Sequence, residues 1–187
     1  MKVRDSGMPD ERYWESLFDV AGILDALKID RNVGDAVEVG CGYGTFTVPT
    51  AQRIGGTLHS FDIESKMIER TRARAAAAMI GNLRLDLRDV IVDGFGVPAN
   101  SVDAVLLFNI LHAVSPVEIL RRGAEAVRPG GRLLGIHWRS DVATPRGPDL
   151  SIRPRPEQIA EWARSAGLYP EPSQLLPPWH FGIVLRR

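Results

Sequence analysis

The residues with the clearest chemical potential lie in one stretch, Ala36-Val37-Glu38-Val39-Gly40-Cys41-Gly42-Tyr43-Gly44-Thr45-Phe46. An apolar run carries a carboxylate at Glu38 and ends in a loop with glycine at alternate positions. The run predicts a buried strand of a parallel sheet. The glycines permit dihedrals that other residues avoid and remove the Cβ atoms that would hold a ligand off the backbone. A helix after the loop would aim free N–H groups and the positive end of its dipole at it. Such a turn suits a nucleotide-like ligand. The dinucleotide fingerprint is G-x-G-x-x-G, whereas Gly40, Gly42 and Gly44 give G-x-G-x-G. A carboxylate beside this loop repels a pyrophosphate and suits a ligand carrying an ammonium and a sulfonium.

A second acid, Asp62, ends the short apolar run Thr57 to Phe61. It stands about 20 residues past the loop, where nucleotide-binding sheets place an acid for ribose hydroxyls. Two acceptor oxygens match two vicinal donors. The alternative is a helix cap, which Glu64 or Ser65 could also supply. Asp89-Val90 follows the next strand, where a plain surface turn is the competing reading. Histidines 112, 137 and 180 fall near predicted ligand edges.

The elements that position these groups alternate between strand and helix. Trp14, Leu17, Phe18, Ala21, Leu24 and Leu27 recur at helical spacing and predict one helix from Asp10 to Leu27, packed on the sheet or serving as a lid. Helices are expected over about 45–54, 64–79, from Ser115-Pro116 to Val127, and over 157–166. Strands are expected at Leu83–Leu87, Ser101–Phe108 and Leu133–Trp138. Ile91 to Asn100 reads as a loop, and Arg128-Pro129-Gly130-Gly131-Arg132 as a sharp turn. Glu69, Arg70, Arg72 and Arg74 read as a solvated helix face. The stretch from Asp141 to Pro156 is long for a plain connection, and its arginines, with Arg139, can serve an acidic substrate or merely face water. Leu168–Leu176 and Trp179–Leu185 read as a closing antiparallel hairpin.

In this order the motifs resemble the class I S-adenosylmethionine-dependent methyltransferases, of the small-molecule type similar to quinone-biosynthesis methyltransferases. The family's first motif is an acid, one spacer and G-x-G-x-G. Its "D, I, S/E, x, x, M" corresponds to Asp62-Ile63-Glu64-Ser65-Lys66-Met67. Its "DxVxxxxxLHH" corresponds to Asp103 through His112, with Ala113 in place of the second histidine. Its "KPGG" corresponds to Arg128-Pro129-Gly130-Gly131, and Ile136-His137-Trp138-Arg139 … Arg146-Gly147-Pro148 resembles the quinone enzymes. The N/D-P-P-Y/F motif of amide and adenine methyltransferases is absent.

The resemblance implies a Rossmann-like α/β fold: an open twisted sheet of about seven strands, mostly parallel, with an antiparallel C-terminal hairpin and helices on both faces. It implies S-adenosyl-L-methionine as cofactor. The cofactor contacts would come from Glu38, Gly40, Cys41, Gly42, Gly44, Asp62, Ile63, Met67, Asp89, Val90 and Asn109. Ile63 and Met67 would flank the adenine, Asp89 would accept from its amino group, and the Val90 N–H would reach a ring nitrogen. His112 and His137 are the candidate catalytic groups, against a packing role. Transfer to O, N or C of a small-molecule acceptor is expected. A dinucleotide-dependent oxidoreductase and a non-catalytic binding protein of the same fold stay open.

The bulk composition agrees with an ordinary folded enzyme. A chain of 187 residues, 44% hydrophobic and 25% charged, fits a single domain over 1–187, with residues 1–30 as the N-terminal helix. The net charge is zero and no basic run interleaves with aromatics, so no nucleic acid partner is expected. Cys41 is the single cysteine. An intrachain disulfide or cysteine metal cluster is therefore ruled out, no metal is expected, and a reducing compartment follows. The polar leader Met1–Asp10 and the lack of long apolar runs predict a cytoplasmic protein without membrane attachment.

Overall fold

The computed structural model describes residues 8–187, so most of the polar leader lies outside the described residues. The chain runs α1 (Glu11–Glu15), α2 (Val20–Ala26), β1 (Ala36–Val39), α3 (Thr47–Arg53), β2 (Leu58–Asp62), α4 (Ser65–Ala77), β3 (Leu83–Leu87) and α5 (Val90–Asp93). It continues with β4 (Val102–Phe108), α6 (Pro116–Ala126), β5 (Val127–Trp138), a 3-10 turn (Leu150–Ile152), α7 (Pro156–Ser165), β6 (Tyr169–Pro170), β7 (Gln174–Leu176) and β8 (His180–Arg186).

These strands form one sheet in the order β3-β2-β1-β4-β5-β8-β6, with β7 also paired to β8. β1 through β5 are parallel, and β8 lies antiparallel to β5. The chain winds outward from β1 through β2 to β3, then returns to lay β4 on the other side of β1. The carboxyl ends of β1 and β4 therefore flank a topological switch point, where open α/β sheets bind ligands. Both faces are covered. Val37, Val105, Leu107 and Leu133 pack with Ile119, Leu120 and Ile159 of α6 and α7. Ala36, Ala104, Leu106 and Leu134 pack with Ile23, Leu24 and Ala51 of α2 and α3. Burial on both faces explains why β1 and β4 read as continuous apolar runs.

Four local expectations are corrected. The single N-terminal helix is two: the Asp19 carboxylate accepts from Gly22 N–H at 3.0 Å and starts α2 anew. Between the two helices Phe18 turns inward onto Phe46, Trp138 and His180, which preserves the apolar period across the break. Val90–Asp93 is a short helix rather than loop, capped by the Asp89 carboxylate on Ile91 N–H at 3.0 Å. The Arg128–Arg132 turn lies inside β5 as a bulge: Val102 pairs with Val127 and Ala104 with Arg132, so Asp103 faces four residues. Arg128 closes on Asp103 at 2.6 Å there. Finally, Leu168–Leu176 divides into β6 and β7, which brings the sheet to eight strands.

Candidate functional site

Glu38 and Ser60 occupy paired positions on β1 and β2, so their side chains share a face. The Ser60 hydroxyl donates to the Glu38 carboxylate at 2.6 Å, and the Thr47 hydroxyl also bonds it. Glu38 is 2% exposed. Burial pushes its pKa up to about 7, against the pull of both hydroxyls, and the nearby Asp62 charge adds to the rise. The acid therefore lies beneath the glycine loop.

Gly40 and Gly44 have φ of +82° and +79°, in the left-handed region. A Cβ on Gly40 would meet Ile110 Cδ1 at 2.8 Å, and one on Gly44 would meet Thr71 Oγ1 at 3.1 Å. The loop's donors are spent internally. Gly40 and Cys41 N–H both donate to the Phe61 carbonyl, at 2.7 and 3.0 Å, and Gly44 N–H donates to the Cys41 carbonyl at 2.9 Å. Gly42 N–H donates to Asp62 Oδ2 at 3.0 Å. These four amides are therefore taken up within the protein, and α3, whose first-turn amides were expected to face the loop, begins only at Thr47. The loop clears space for a ligand, and its glycine and Cys41 amides are not offered to one. The Cys41 thiol is buried, and that burial raises its pKa far above the ordinary thiol range, so it is an inert packing group.

Asp62 also accepts from Glu64 N–H at 3.0 Å through Oδ1. The carboxylate also bonds the Cys41 thiol, and its two oxygens have acceptor capacity beyond these three bonds, so the helix-start and hydroxyl-binding readings of this residue coexist. Burial raises its pKa, against the two backbone bonds. Ile63 is 46% exposed beside it, open to an apolar ring. Met67 is buried with Cys41 and Ile68, against Met8, Tyr43 and Leu85, so its core role is the one seen. Asp89 spends Oδ1 as the α5 cap, and Val90 is buried at the helix's first position.

Across the switch point, Asn109 has φ of +57° and its Oδ1 is buried without a hydrogen-bond partner. Asparagine adopts this backbone region readily, so what sets the residue apart is a buried acceptor left open at the carboxyl edge of the sheet. His112 and His137 meet, Nδ1 to Nε2, at 3.2 Å. Burial lowers both pKa values, His137 to about 3. His180 lies apart, against Phe18 and Trp138.

Sequence reasoning missed how the N-terminal segment closes on the loop. Tyr43 hydroxyl donates to the Pro9 carbonyl at 2.7 Å. Glu11 pairs with Arg70 at 2.7 Å and Arg74 at 3.3 Å, and Arg74 also pairs with Glu15 and donates to the Tyr43 carbonyl. Arg70 and Arg74 are therefore not a purely solvated face. The signal available was spacing: Glu11 and Glu15, like Arg70 and Arg74, are four apart and share a helix face. The 141–156 stretch is also ordered internally. Arg153 donates to the carbonyls of Pro148, Arg139 and Arg146 and to Thr144 Oγ1, and Arg139 pairs with Asp141 at 2.7 Å. These two arginines are committed to the loop rather than offered to an acidic substrate.

A model of the family described as "Methyltransferase domain" matches residues 36–131, half of the chain. The chain belongs to the methyltransferase domain family. Nocamycin O-methyltransferase of Saccharothrix syringae is 36% identical over 138 residues, covering 70% of this chain and 47% of that protein. A ubiquinone biosynthesis O-methyltransferase of Stutzerimonas stutzeri (strain A1501) is 25% identical over 185 residues, covering 84% of this chain and 78% of that protein. The chain spans about half the length of several curated relatives it matches. The crystal structure of a SAM-dependent methyltransferase from Aquifex aeolicus matches with a TM-score of 0.82 at 18% identity, covering 94% and 93% of the two chains, and shares the fold. S-adenosylmethionine is the cofactor of this class of methyltransferase. The residues at the loop fit it: a cradle that a Cβ would fill, a ribose-suited acid in Asp62 and an unpartnered acceptor in Asn109.

Proposed function

We propose that this methyltransferase moves a methyl group from S-adenosylmethionine to a hydroxyl oxygen of a small molecule. The observation that carries the reading is the spent amides at Gly40, Cys41, Gly42 and Gly44, above a buried acid. A site built this way favours a cation over a pyrophosphate, which disfavours the dinucleotide reading. Glu38 and Asn109 would serve the ammonium end, Gly40, Cys41, Gly42 and Gly44 the close backbone approach, and Asp62 the ribose. Ile63, Met67, Asp89 and Val90 would serve the adenine, Met67 from within the core. When bound, the cofactor supplies a methyl carbon already activated on a sulfonium. The protein's task is then to hold the acceptor oxygen in line and to exclude water. His112 is the proton acceptor in this reading, and the names of the relatives support oxygen as the attacked atom. The residue 8–15 segment, tied to α4, acts as the lid. A single domain, no nucleic acid or membrane partner and a cytoplasmic setting go with this reading, and the free thiol of Cys41 fits a reducing compartment. No helix among the described residues is long and apolar enough to cross a membrane.

Calorimetric titration with S-adenosylmethionine, S-adenosylhomocysteine and NADH tests it. Heat from the first two and none from NADH is expected. The reverse pattern, or silence from all three, removes the proposal. Radiolabelled methyl transfer to a panel of phenolic acceptors then separates an enzyme from a binding protein.

A further inference from the structure

His112 follows β4 and His137 stands near the end of β5, so neighbouring strands deliver the two rings to each other at the carboxyl edge of the sheet. His137 Nε2 lies 3.2 Å from His112 Nδ1. The other nitrogen of the His137 ring, Nδ1, lies 3.4 Å from the Trp138 carbonyl oxygen. His137 is fully buried. Burial holds it neutral, with the Arg153 charge and any charge on His112 or His180 acting the same way, against the Trp138 carbonyl, so its ring has one proton for two nitrogens. A carbonyl oxygen only accepts. A bare Nδ1 would set lone pair against lone pair in a buried place. The proton therefore sits on Nδ1, and Nε2 is the acceptor. The atom facing it, His112 Nδ1, must be the donor. Burial keeps His112 neutral too, so its single proton is used in this contact and its Nε2 keeps a lone pair.

We propose that His137 is a positioning residue that fixes His112 in the Nδ1–H tautomer and so leaves His112 Nε2 as the proton acceptor for methyl transfer. The catalytic half of this inference rests on the methyltransferase reading above, while the tautomer itself does not. In the step it serves, the acceptor oxygen bonds to the methyl carbon, the carbon–sulfur bond breaks, and its electron pair stays on sulfur. The hydroxyl proton passes to His112 Nε2. The resulting imidazolium still donates Nδ1–H to His137, so the ring keeps one orientation throughout. The neighbours of His137 are cationic when ionised and oppose an imidazolium beside them. The hydroxyl that such a base serves is an acidic one, phenolic or enolic.

The chain has four histidines, so long-range proton–nitrogen spectra of the nitrogen-15-histidine-labelled protein resolve each ring. The expected wild-type spectrum shows a pyrrole-type Nδ1 and a pyridine-type Nε2 on both His112 and His137. His137→Phe, which keeps a ring beside Phe181 but has no acceptor, is expected to lose the Nδ1–H signature at His112. His137→Gln, whose amide oxygen can accept, is expected to restore it in part. An Nε2–H His112 in the wild type overturns the inference on its own, even if the variants fail to fold, and so does a His112 signature unchanged in a folded His137→Phe. With catechol as acceptor probe, His137→Phe should lower kcat while leaving KM for S-adenosylmethionine unchanged. Failure of donor binding removes the methyltransferase reading and leaves the tautomer result standing.

Discussion

The two sides of the switch point are built in different ways. On the donor side, the β1 loop and the end of β2 lie within residues 38–67 and bond mostly to each other, with Thr71 and Arg74 of α4 added on the carbonyls of Gly42 and Tyr43. On the acceptor side, His112 follows β4, His137 and Trp138 end β5, Trp14 and Phe18 come from the N-terminal segment, and His180 from the antiparallel β8. Trp138 packs on Trp14, Phe18 and His180 at centroid distances of 6.4, 5.9 and 4.2 Å. A local motif can hold a common cofactor in a fixed way. A surface assembled from distant segments can change with each, which is how one fold serves many acceptors.

The comparison is sharpened most by variants that touch one side only. His112→Gln should lower kcat by about 10²–10⁴-fold, the usual worth of a positioned acid–base group, with the dissociation constant of S-adenosylmethionine unchanged by calorimetry. A matched loss of donor binding would erase the division between the sides. Asp62→Asn is the mirror case: losing charged acceptor bonds should weaken donor binding by about 10- to 100-fold. Kcat at saturating donor should move far less.

A third expectation concerns pH. The folded pKa of Glu38, about 7, lies above its ordinary 4.5. The stability this neutral acid confers is fully present below about pH 4.5 and is lost as the pH rises through 7, by roughly 3 kcal/mol on the linkage scale. Thermal melts should fall over that window in the wild type and lie flatter in Glu38→Gln. A bound cation favours the ionised acid, so donor binding near pH 7 should release a proton, visible as buffer-dependent heat in calorimetry and absent from Glu38→Gln. The smallest effect belongs to the lid. Glu11 and Arg70 are partly exposed, and pairs of this kind contribute little because water and salt screen them. Glu11→Gln with Glu15→Gln should speed amide exchange in residues 8–15 by about two- to fivefold, an effect that added salt should mimic.

The donor side was largely legible in sequence because its signals are short-range: glycine spacing, an acid two residues before it, an acid at the next strand's end. The alternation of strands and helices followed from apolar period and turn residues, while the mostly parallel sheet with helices on both faces came from the family resemblance. The misreadings share a cause. The amides of Gly40 and Cys41 are taken by the Phe61 carbonyl of the adjacent strand, a pairing that glycine spacing does not announce. Arg70 and Arg74 looked solvated because their partners, Glu11 and Glu15, lie about 60 positions earlier.

By itself the sequence determined the α/β architecture, the family, the cofactor loop and the residues available to it, since these rest on periods and spacings that a chain carries wherever it folds. Only the tertiary structure decided that Glu38 is buried beneath its loop, that the N-terminal segment clasps α4, and that His137 stands against His112. Those facts depend on which strands become neighbours and on how much water their packing excludes, and a low-dielectric contact between distant residues leaves no trace in the spacing of either one.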